Sequence, residues 1–146
     1  MSGQDRPALP VAQGLYRPAT RAGGLIFTAG MTPRQDGVLL FTGPVLAADP
    51  PDRWRAAVEL ATANALAAAA SQLAEGERIA AVPSLTVFIA AEAGFAAHSR
   101  LADFASALLR DRLGEAGIGS RAAVGVATLP GNAPVEIQLV AAVAGA

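Results

Sequence analysis

Two stretches of this chain lack both glycine and proline over a length that suits a long helix, and their place among shorter apolar segments constrains the fold. The first runs from Arg53 to about Glu75 and the second from Phe95 to Leu113. In the second stretch, apolar residues recur at i, i+3, i+4 and i+7 starting from Leu101, which is the spacing of one helix face. The sequence therefore predicts two helices.

The segments around these helices are short, apolar and partly β-branched, with glycine or proline between them, which is typical of strands. The predicted strands cover residues 15–20, 25–30, 38–42, 84–89, 122–128 and 135–140. The resulting order, β-β-β-α-β-α-β-β, mixes strands and helices without strict alternation. It favours an α+β fold in which a mixed sheet carries both helices on one face and leaves the other face partly bare.

The chain carries little charge for its size. Of its 146 residues, 16% are charged and the net charge is −1, whereas a globular protein has about 25% charged residues. A small monomer has a large surface relative to its volume, so we expect part of this surface to be buried against another chain.

The length predicts one domain, residues 14–146, preceded by an N-terminal arm at residues 1–13. The first residues contain no apolar signal-peptide core. The apolar stretch Ile79–Ala91 is too short to span a membrane and is interrupted by Pro83. We therefore expect a cytoplasmic protein without a membrane partner.

Several kinds of chemistry are excluded by residue types that are missing. The chain has no Cys and no Lys, so it offers no thiol nucleophile, no zinc-thiolate site and no phosphate-binding loop with a lysine. Its 11 arginines are scattered among 12 acids, which argues against a nucleic-acid partner. The one histidine, His98, is most simply a surface or interface residue of the second helix, and no acidic cluster supports a metal.

Two charged residues on successive strands are the candidate site. Arg121 opens the fifth strand after a glycine-rich loop, although it can also be a solvated residue at a strand edge. Glu136 lies inside an otherwise apolar strand, between Val135 and Ile137. Burying an unpaired carboxylate is costly, which points to a function, but a buried ion pair without function is the alternative.

The residues around this pair resemble the C-terminal signature of a known family, the reactive-intermediate deaminases (RidA/YjgF, also called the L-PSP endoribonuclease family). The resemblance covers about residues 14–143. The matching segments are Ser120–Pro130, Pro134–Ala141, the N-terminal strands with Gly14-Leu15-Tyr16 and Leu25–Gly30, Asn64 in the first helix and the central strand Thr86–Ile89.

This resemblance implies a chorismate-mutase-like α+β fold and a homotrimer with three clefts between subunits. It implies hydrolysis of reactive enamines or imines, derived from small 2-imino acids, to 2-oxo acids and ammonia without a metal or cofactor. Arg121 would bind the substrate carboxylate, Glu136 would position or activate the attacking water, and Tyr16 would line the pocket.

The sequence also differs from the best-known deaminases. Ala29 replaces a usual Ser, Ser99 an Asn and Ala123 a frequent Cys, while Gly-Glu-Ala-Gly-x-x-x-Arg before the fifth strand resembles a divergent branch. One alternative is therefore a non-enzymatic trimer that binds a small carboxylate. Another is a nuclease, the name given to some relatives, although the aromatic residues form no basic stacking platform.

Overall fold

The structure, a computed structural model, describes residues 9–145. Residues 1–8, most of the expected arm, lie outside this range, and residues 9–13 belong to no helix or strand. The helices are α1 (Arg55–Ala70) and α2 (His98–Leu113). The strands are β1 (Ala19–Ala22), β2 (Leu25–Thr28), β3 (Arg34–Gln35), β4 (Val38–Leu39), β5 (Arg78–Ala90), β6 (Ser120–Val126) and β7 (Val135–Ala144).

Five strands form one mixed sheet in the order β1-β2-β7-β5-β6, so β1 and β6 are its two edges. Strands β5 and β6 are parallel, and the other neighbouring pairs are antiparallel. Parallel neighbours require a crossover connection, and α2 supplies it here. The α+β fold predicted from the sequence is confirmed.

Both helices pack on the same face of this sheet. Strand β7 alternates, and its residues Val135, Ile137 and Leu139 are buried in one core with Val58 of α1 and Leu101 of α2. Full burial of side chains of this size contributes about 1.5–3 kcal/mol each. The remaining sheet-facing positions of α1 are mostly alanines, whose small side chains let the helix lie close to the strands.

The opposite face of the sheet carries no helix. Leu25, Phe27 and Val124 point from it and are each about 40% exposed, at 40%, 42% and 39%. Between them the face presents mainly uncharged side chains of β5 and β7, and a shallow cavity of about 200 Å³ opens beside Phe27. This is the partly bare face that the element order predicts.

The sequence predicts that residues 38–42 form the third strand of the sheet, and this prediction is wrong. Only Val38–Leu39 is extended, and it pairs with Arg34–Gln35 in a separate hairpin. The reason is the turn between them, because Asp36 and Gly37 both have positive φ, at 51° and 80°, and close a two-residue hairpin. Asn64 of α1 anchors this hairpin by donating to the carbonyl of Arg34 at 2.8 Å.

The first helix is shorter than predicted. A 3-10 turn occupies Pro51–Trp54, and α1 ends at Ala70 instead of near Glu75. After the helix, Arg21 of β1 donates to the carbonyl of Gln72 and to both carboxylate oxygens of Glu77, which ties this segment to β1. The second helix begins three residues later than predicted, at His98, and the strand predicted at 84–89 extends over Arg78–Ala90 with bulges near Pro83.

Candidate active site

Arg121 lies at the start of edge strand β6, with its side chain directed at α2. Its Nη1 donates to Asp103 Oδ1 at 2.8 Å and to Ser106 Oγ at 3.0 Å, and its Nη2 donates to Ser99 Oγ at 2.8 Å. These three partners recur at i, i+4 and i+7, so one face of α2 holds the guanidinium in place. The side chain is 22% exposed, so a solute can still reach it.

The guanidinium of Arg121 keeps donors for a ligand. It has five N–H groups, and Asp103 and Ser106 take both of those on Nη1. Among residues 9–145, Nε has no acceptor, and the second contact of Nη2 is a long one of 3.4 Å to the backbone oxygen of Ser99. A carboxylate can therefore approach the Nε and Nη2 edge and accept two parallel hydrogen bonds.

An open groove of about 610 Å³ lies beside Arg121, a volume typical of small-molecule sites. Its floor on β6 is made of small residues, Ala123 and Gly125. The complete lining is Ala96, His98, Ser99, Arg121, Ala123, Val124 and Gly125.

His98 lines this groove, half-buried, rather than standing on an open helix surface. A Cβ added to Gly125 would lie 2.8 Å from His98 Nε2, so the missing side chain of this glycine makes room for the imidazole over the strand. On its other side the ring packs edge-to-face against Phe95, with centroids 4.8 Å apart and an angle of 68°.

Glu136 is the second residue of β7 and points to the face without helices, since its neighbours Val135 and Ile137 face the core. Its carboxylate packs against Gly30, where a Cβ would lie 2.5 Å from Glu136 Cδ and 2.9 Å from Oε1. Burial raises the pKa of the Glu136 carboxyl above its usual range, because removal from water disfavours the charged form. The group is therefore easier to protonate than an ordinary glutamate.

Tyr16 precedes β1 and is 49% exposed. Its hydroxyl accepts a hydrogen bond from the backbone N–H of Gln13 at 3.1 Å. Two residues further on, the carbonyl of Pro18 accepts from the N–H of Ala29, the residue before Gly30. The chain around Tyr16 is thus tied to the segment that contacts Glu136.

Arg121 and Glu136 do not meet within one chain. Strand β5 lies between β6 and β7 in the sheet. Phe88 of β5 pairs with Glu136 on one side and with Val124 on the other, and Val124 is three residues along β6 from Arg121. Side chains alternate along strands, so Arg121 points to the helix-covered face and Glu136 to the opposite one. Their strands are successive in sequence but not adjacent in the sheet.

With this geometry, comparison with known proteins is informative. Over residues 1–143 the chain matches the family described as "YjgF/chorismate mutase-like, putative endoribonuclease". The chain belongs to the YjgF family. The resemblance identified in the sequence is thereby confirmed, and comparison with curated proteins gives no match.

Solved structures agree with this assignment. The protein Atu1372 of Agrobacterium tumefaciens, of unknown function, is 34% identical with a TM-score of 0.79, covering 93% of this chain and 86% of that chain. A "putative endoribonuclease" of Shewanella oneidensis is 32% identical with a TM-score of 0.81, covering 93% and 90%. E. coli TdcF, solved with bound serine, shares the fold at 24% identity and a TM-score of 0.65, covering 92% of each chain.

Sequence reasoning missed the surroundings of Arg121 in this YjgF family member. Asp103 and Ser106 contact the guanidinium directly, and His98 lines the groove beside it. A signal was present, because Ser99, Asp103 and Ser106 form a polar row on a helix that precedes the strand of Arg121. Without the crossover geometry, that row could not be distinguished from a solvated face.

Two further features concern the part of the chain that the structure describes. No group of three or more Cys, His, Asp or Glu side chains there could hold a metal ion. No helix in residues 9–145 is long and apolar enough to cross a membrane.

Proposed function

We propose that this protein hydrolyses reactive 2-imino acids, or the enamines in equilibrium with them, to 2-oxo acids and ammonia. The observation that carries the proposal is Arg121, a cation that lines a groove, is held by three side chains of α2, and has no acceptor for its Nε among residues 9–145. A guanidinium held in this way is suited to bind a carboxylate through two hydrogen bonds.

A second copy of the chain would complete the site. Arg121 lies on edge strand β6 and Tyr16 leads into the opposite edge strand β1, while Glu136 faces the helix-free side. In a ring of identical subunits the contacts are head-to-tail, so two different surfaces of the chain meet at each interface. We propose a homotrimer in which Arg121 of one subunit faces Glu136 and Tyr16 of the next.

The helix-free sheet face supports such an assembly. It exposes Leu25, Phe27 and Val124, and the uncharged residues Thr86 and Gln138 lie between them. Large apolar side chains exposed on a mainly uncharged face are typical of contact sites in proteins. Closing this face inside a trimer accounts for the low charge of the whole chain.

The proposed reaction requires a positioned water and a group that moves protons. Water adds to the carbon of the protonated imine while Glu136 accepts one of the water's protons, which gives a neutral carbinolamine with a new C–O bond. Glu136 then delivers that proton to nitrogen, the C–N bond breaks as the carbonyl forms and ammonia leaves, and the hydroxyl proton passes to Glu136, which restores the proton that the imine brought. One imine and one water thus give one 2-oxo acid and one ammonia, with no electron transfer.

The environment of Glu136 fits this role. Its pKa is raised by burial, and a carboxyl whose pKa lies nearer to neutrality exchanges protons more readily with a reacting group. Gly30 leaves room for the carboxylate at this position. Holding the substrate carboxylate on Arg121 would add the advantage of a fixed distance between imine and water.

The three differences from the best-known deaminases change residues around Arg121 and Glu136 but leave both charged groups in place. Ser99 contacts the Arg121 guanidinium directly, and Ala123 forms part of the groove floor. Ala29 precedes the glycine that packs against Glu136. These differences widen the pocket and change its polarity, so we expect a substrate other than the smallest imino acid.

A non-enzymatic carboxylate-binding function is the second candidate. The Arg121 groove lies within one chain and could bind a carboxylate without Glu136. The relative E. coli TdcF was solved with bound serine, a small molecule that carries a carboxylate. An RNA substrate is less well supported, because Asp103 pairs with Arg121 and balances its charge in the groove.

The test couples the protein to an amino-acid oxidase that generates imino acids and measures the release of 2-oxo acids. We expect faster release with the wild-type protein than with buffer, and loss of this acceleration in Arg121→Ala. Arg100→Ala, an exposed residue of α2 that does not line the groove, is the matched control. If no imine in a broad panel is hydrolysed faster than in buffer, the deaminase proposal is wrong.

A further inference from the structure

The imidazole of His98 faces the same groove as Arg121, and the proposed reaction leaves it unused. Neither ring nitrogen of His98 has a hydrogen-bond partner among residues 9–145. Every buried side-chain nitrogen or oxygen in that range does have a partner. The nitrogens of His98 therefore remain accessible to solvent. A neutral imidazole has one donor and one acceptor, so it can bind a polar group of a ligand.

The ring of His98 is held in place on two sides. Phe95 contacts it edge-to-face, and the missing side chain of Gly125 leaves the space in which Nε2 lies. A side chain confined in this way loses less rotamer freedom when it binds a ligand. His98 is therefore a preorganised hydrogen-bonding group.

The separation between His98 and Arg121 suits a short bifunctional molecule. Gly125, beneath the imidazole, lies four residues along β6 from Arg121, which corresponds to about 13 Å. The two side chains come closer together than this, since the guanidinium reaches Ser99, the neighbour of His98. A chain of four or five carbons with polar ends and a hydrogen bond of about 2.8 Å at each end spans about 11–13 Å when extended, so it fits within this upper limit.

We propose that His98 determines substrate specificity by binding a hydroxyl or carboxylate at the far end of a 2-imino acid whose own carboxylate is held by Arg121. The substrate class is then imino acids of four or five carbons with a polar side chain. The small floor residue Ala123, which lies between Arg121 and Gly125 on β6, leaves room for that chain. This inference rests on the proposed function for the role of Arg121 but makes a separate claim about selectivity.

The test measures dissociation constants by calorimetry for the full chain and three stable product analogues. They are 2-oxobutanoate, with an apolar end, 4-hydroxy-2-oxobutanoate, with a hydroxyl, and 2-oxoglutarate, with a carboxylate. We expect at least one of the polar analogues to bind about tenfold more tightly than 2-oxobutanoate, as one added hydrogen bond predicts. The tighter analogue identifies the side-chain group.

Variants of His98 then assign the preference. We expect His98→Phe to reduce it to less than about twofold by weakening the binding of the polar analogue. His98→Gln, which keeps a donor and an acceptor, should retain part of it and guards against a folding defect. Arg100→Ala, on the same turn, should behave as wild type.

The outcomes separate the two proposals. Equal affinity of the wild type for all three analogues, or a preference that survives in His98→Phe, overturns the His98 inference alone. A His98-dependent preference without any imine turnover supports the inference and rejects the deaminase function. Failure of all three analogues to bind, or binding that does not depend on Arg121, overturns both.

Discussion

The contact between Gly30 and Glu136 allows a substitution that displaces the proposed catalytic carboxylate without removing it. In Gly30→Ala, the added Cβ would lie 2.5 Å from Glu136 Cδ and 2.9 Å from Cγ. Gly30 does not have a positive φ, so the backbone accepts alanine. The whole effect therefore falls on the Glu136 side chain.

The expected size of the effect follows from this distance. Carbon atoms pack at about 3.5 Å, so Glu136 Cδ must move by roughly 1 Å. A displacement of that size at a reacting group can reduce activity about 100-fold. Stability should change by less than about 1 kcal/mol, because an off-rotamer strain of about 1 kcal/mol is largely offset by the lower entropy of the unfolded chain with alanine.

The assay compares imine hydrolysis and urea unfolding in Gly30→Ala and in Gly24→Ala, where the new Cβ meets nothing within 4 Å. We expect the first variant to lose activity while folded and the second to keep it. In a Glu136→Gln background, Gly30→Ala should cost no more than about twofold further activity, since the carboxylate it displaces is gone. Full activity in a folded Gly30→Ala protein, or losses that multiply in the double variant, would show that Gly30 does not act through the Glu136 carboxylate.

Three further predictions test other parts of the structure. The hydrogen bond from Arg21 holds the pKa of Glu77 at about 2, below its usual range. This pair therefore stabilises the fold above the ordinary glutamate pKa of about 4.3, and the stabilisation is lost as the pH falls from there towards 2. In Glu77→Gln the melting temperature should depend less on pH across that range, and an unchanged dependence would contradict this prediction. Asp103→Asn removes the counter-charge of Arg121. Because the Asp103 side chain of this ion pair is 69% exposed, the free energy of unfolding should change by less than about 1 kcal/mol. Calorimetry should show severalfold tighter binding of 2-oxobutanoate, and unchanged or weaker binding would contradict this prediction. Phe27→Asp places a charge on the helix-free face and should yield monomers by light scattering with an unchanged circular dichroism spectrum, whereas an intact oligomer would exclude that face as the interface.

Much of the fold can be predicted from sequence because the local signals agree with one another. Glycine- and proline-free stretches mark both helices, and the alternation in β7 identifies the face that lies in the core. The signals fail where residues distant in sequence contribute, as in the segment after α1, where Arg21 of β1 contacts Gln72 and Glu77. They also fail at residues 38–42, where the Asp36-Gly37 turn forms a hairpin outside the main sheet.

The site is less predictable, because a sequence indicates which residues are unusual but not which face they occupy. Arg121 and Glu136 stand out in a chain with few charges, and the structure places them on opposite faces of the sheet. The contacts of Arg121 to Asp103 and Ser106 depend on how α2 crosses β6. The space for His98 depends on Gly125, a residue that has no chemistry of its own.

In the proposed trimer, Arg121 of one subunit acts with Glu136 of another. The most direct test unfolds Arg121→Ala and Glu136→Gln chains together, refolds them in equal amounts and measures imine hydrolysis. Each variant alone should be inactive. In a mixed ring, a cleft is intact when it combines Arg121 from one kind of chain with Glu136 from the other, so about one quarter of wild-type activity should return. A mixture that stays inactive, although mass spectrometry shows that the subunits have mixed, would contradict the claim.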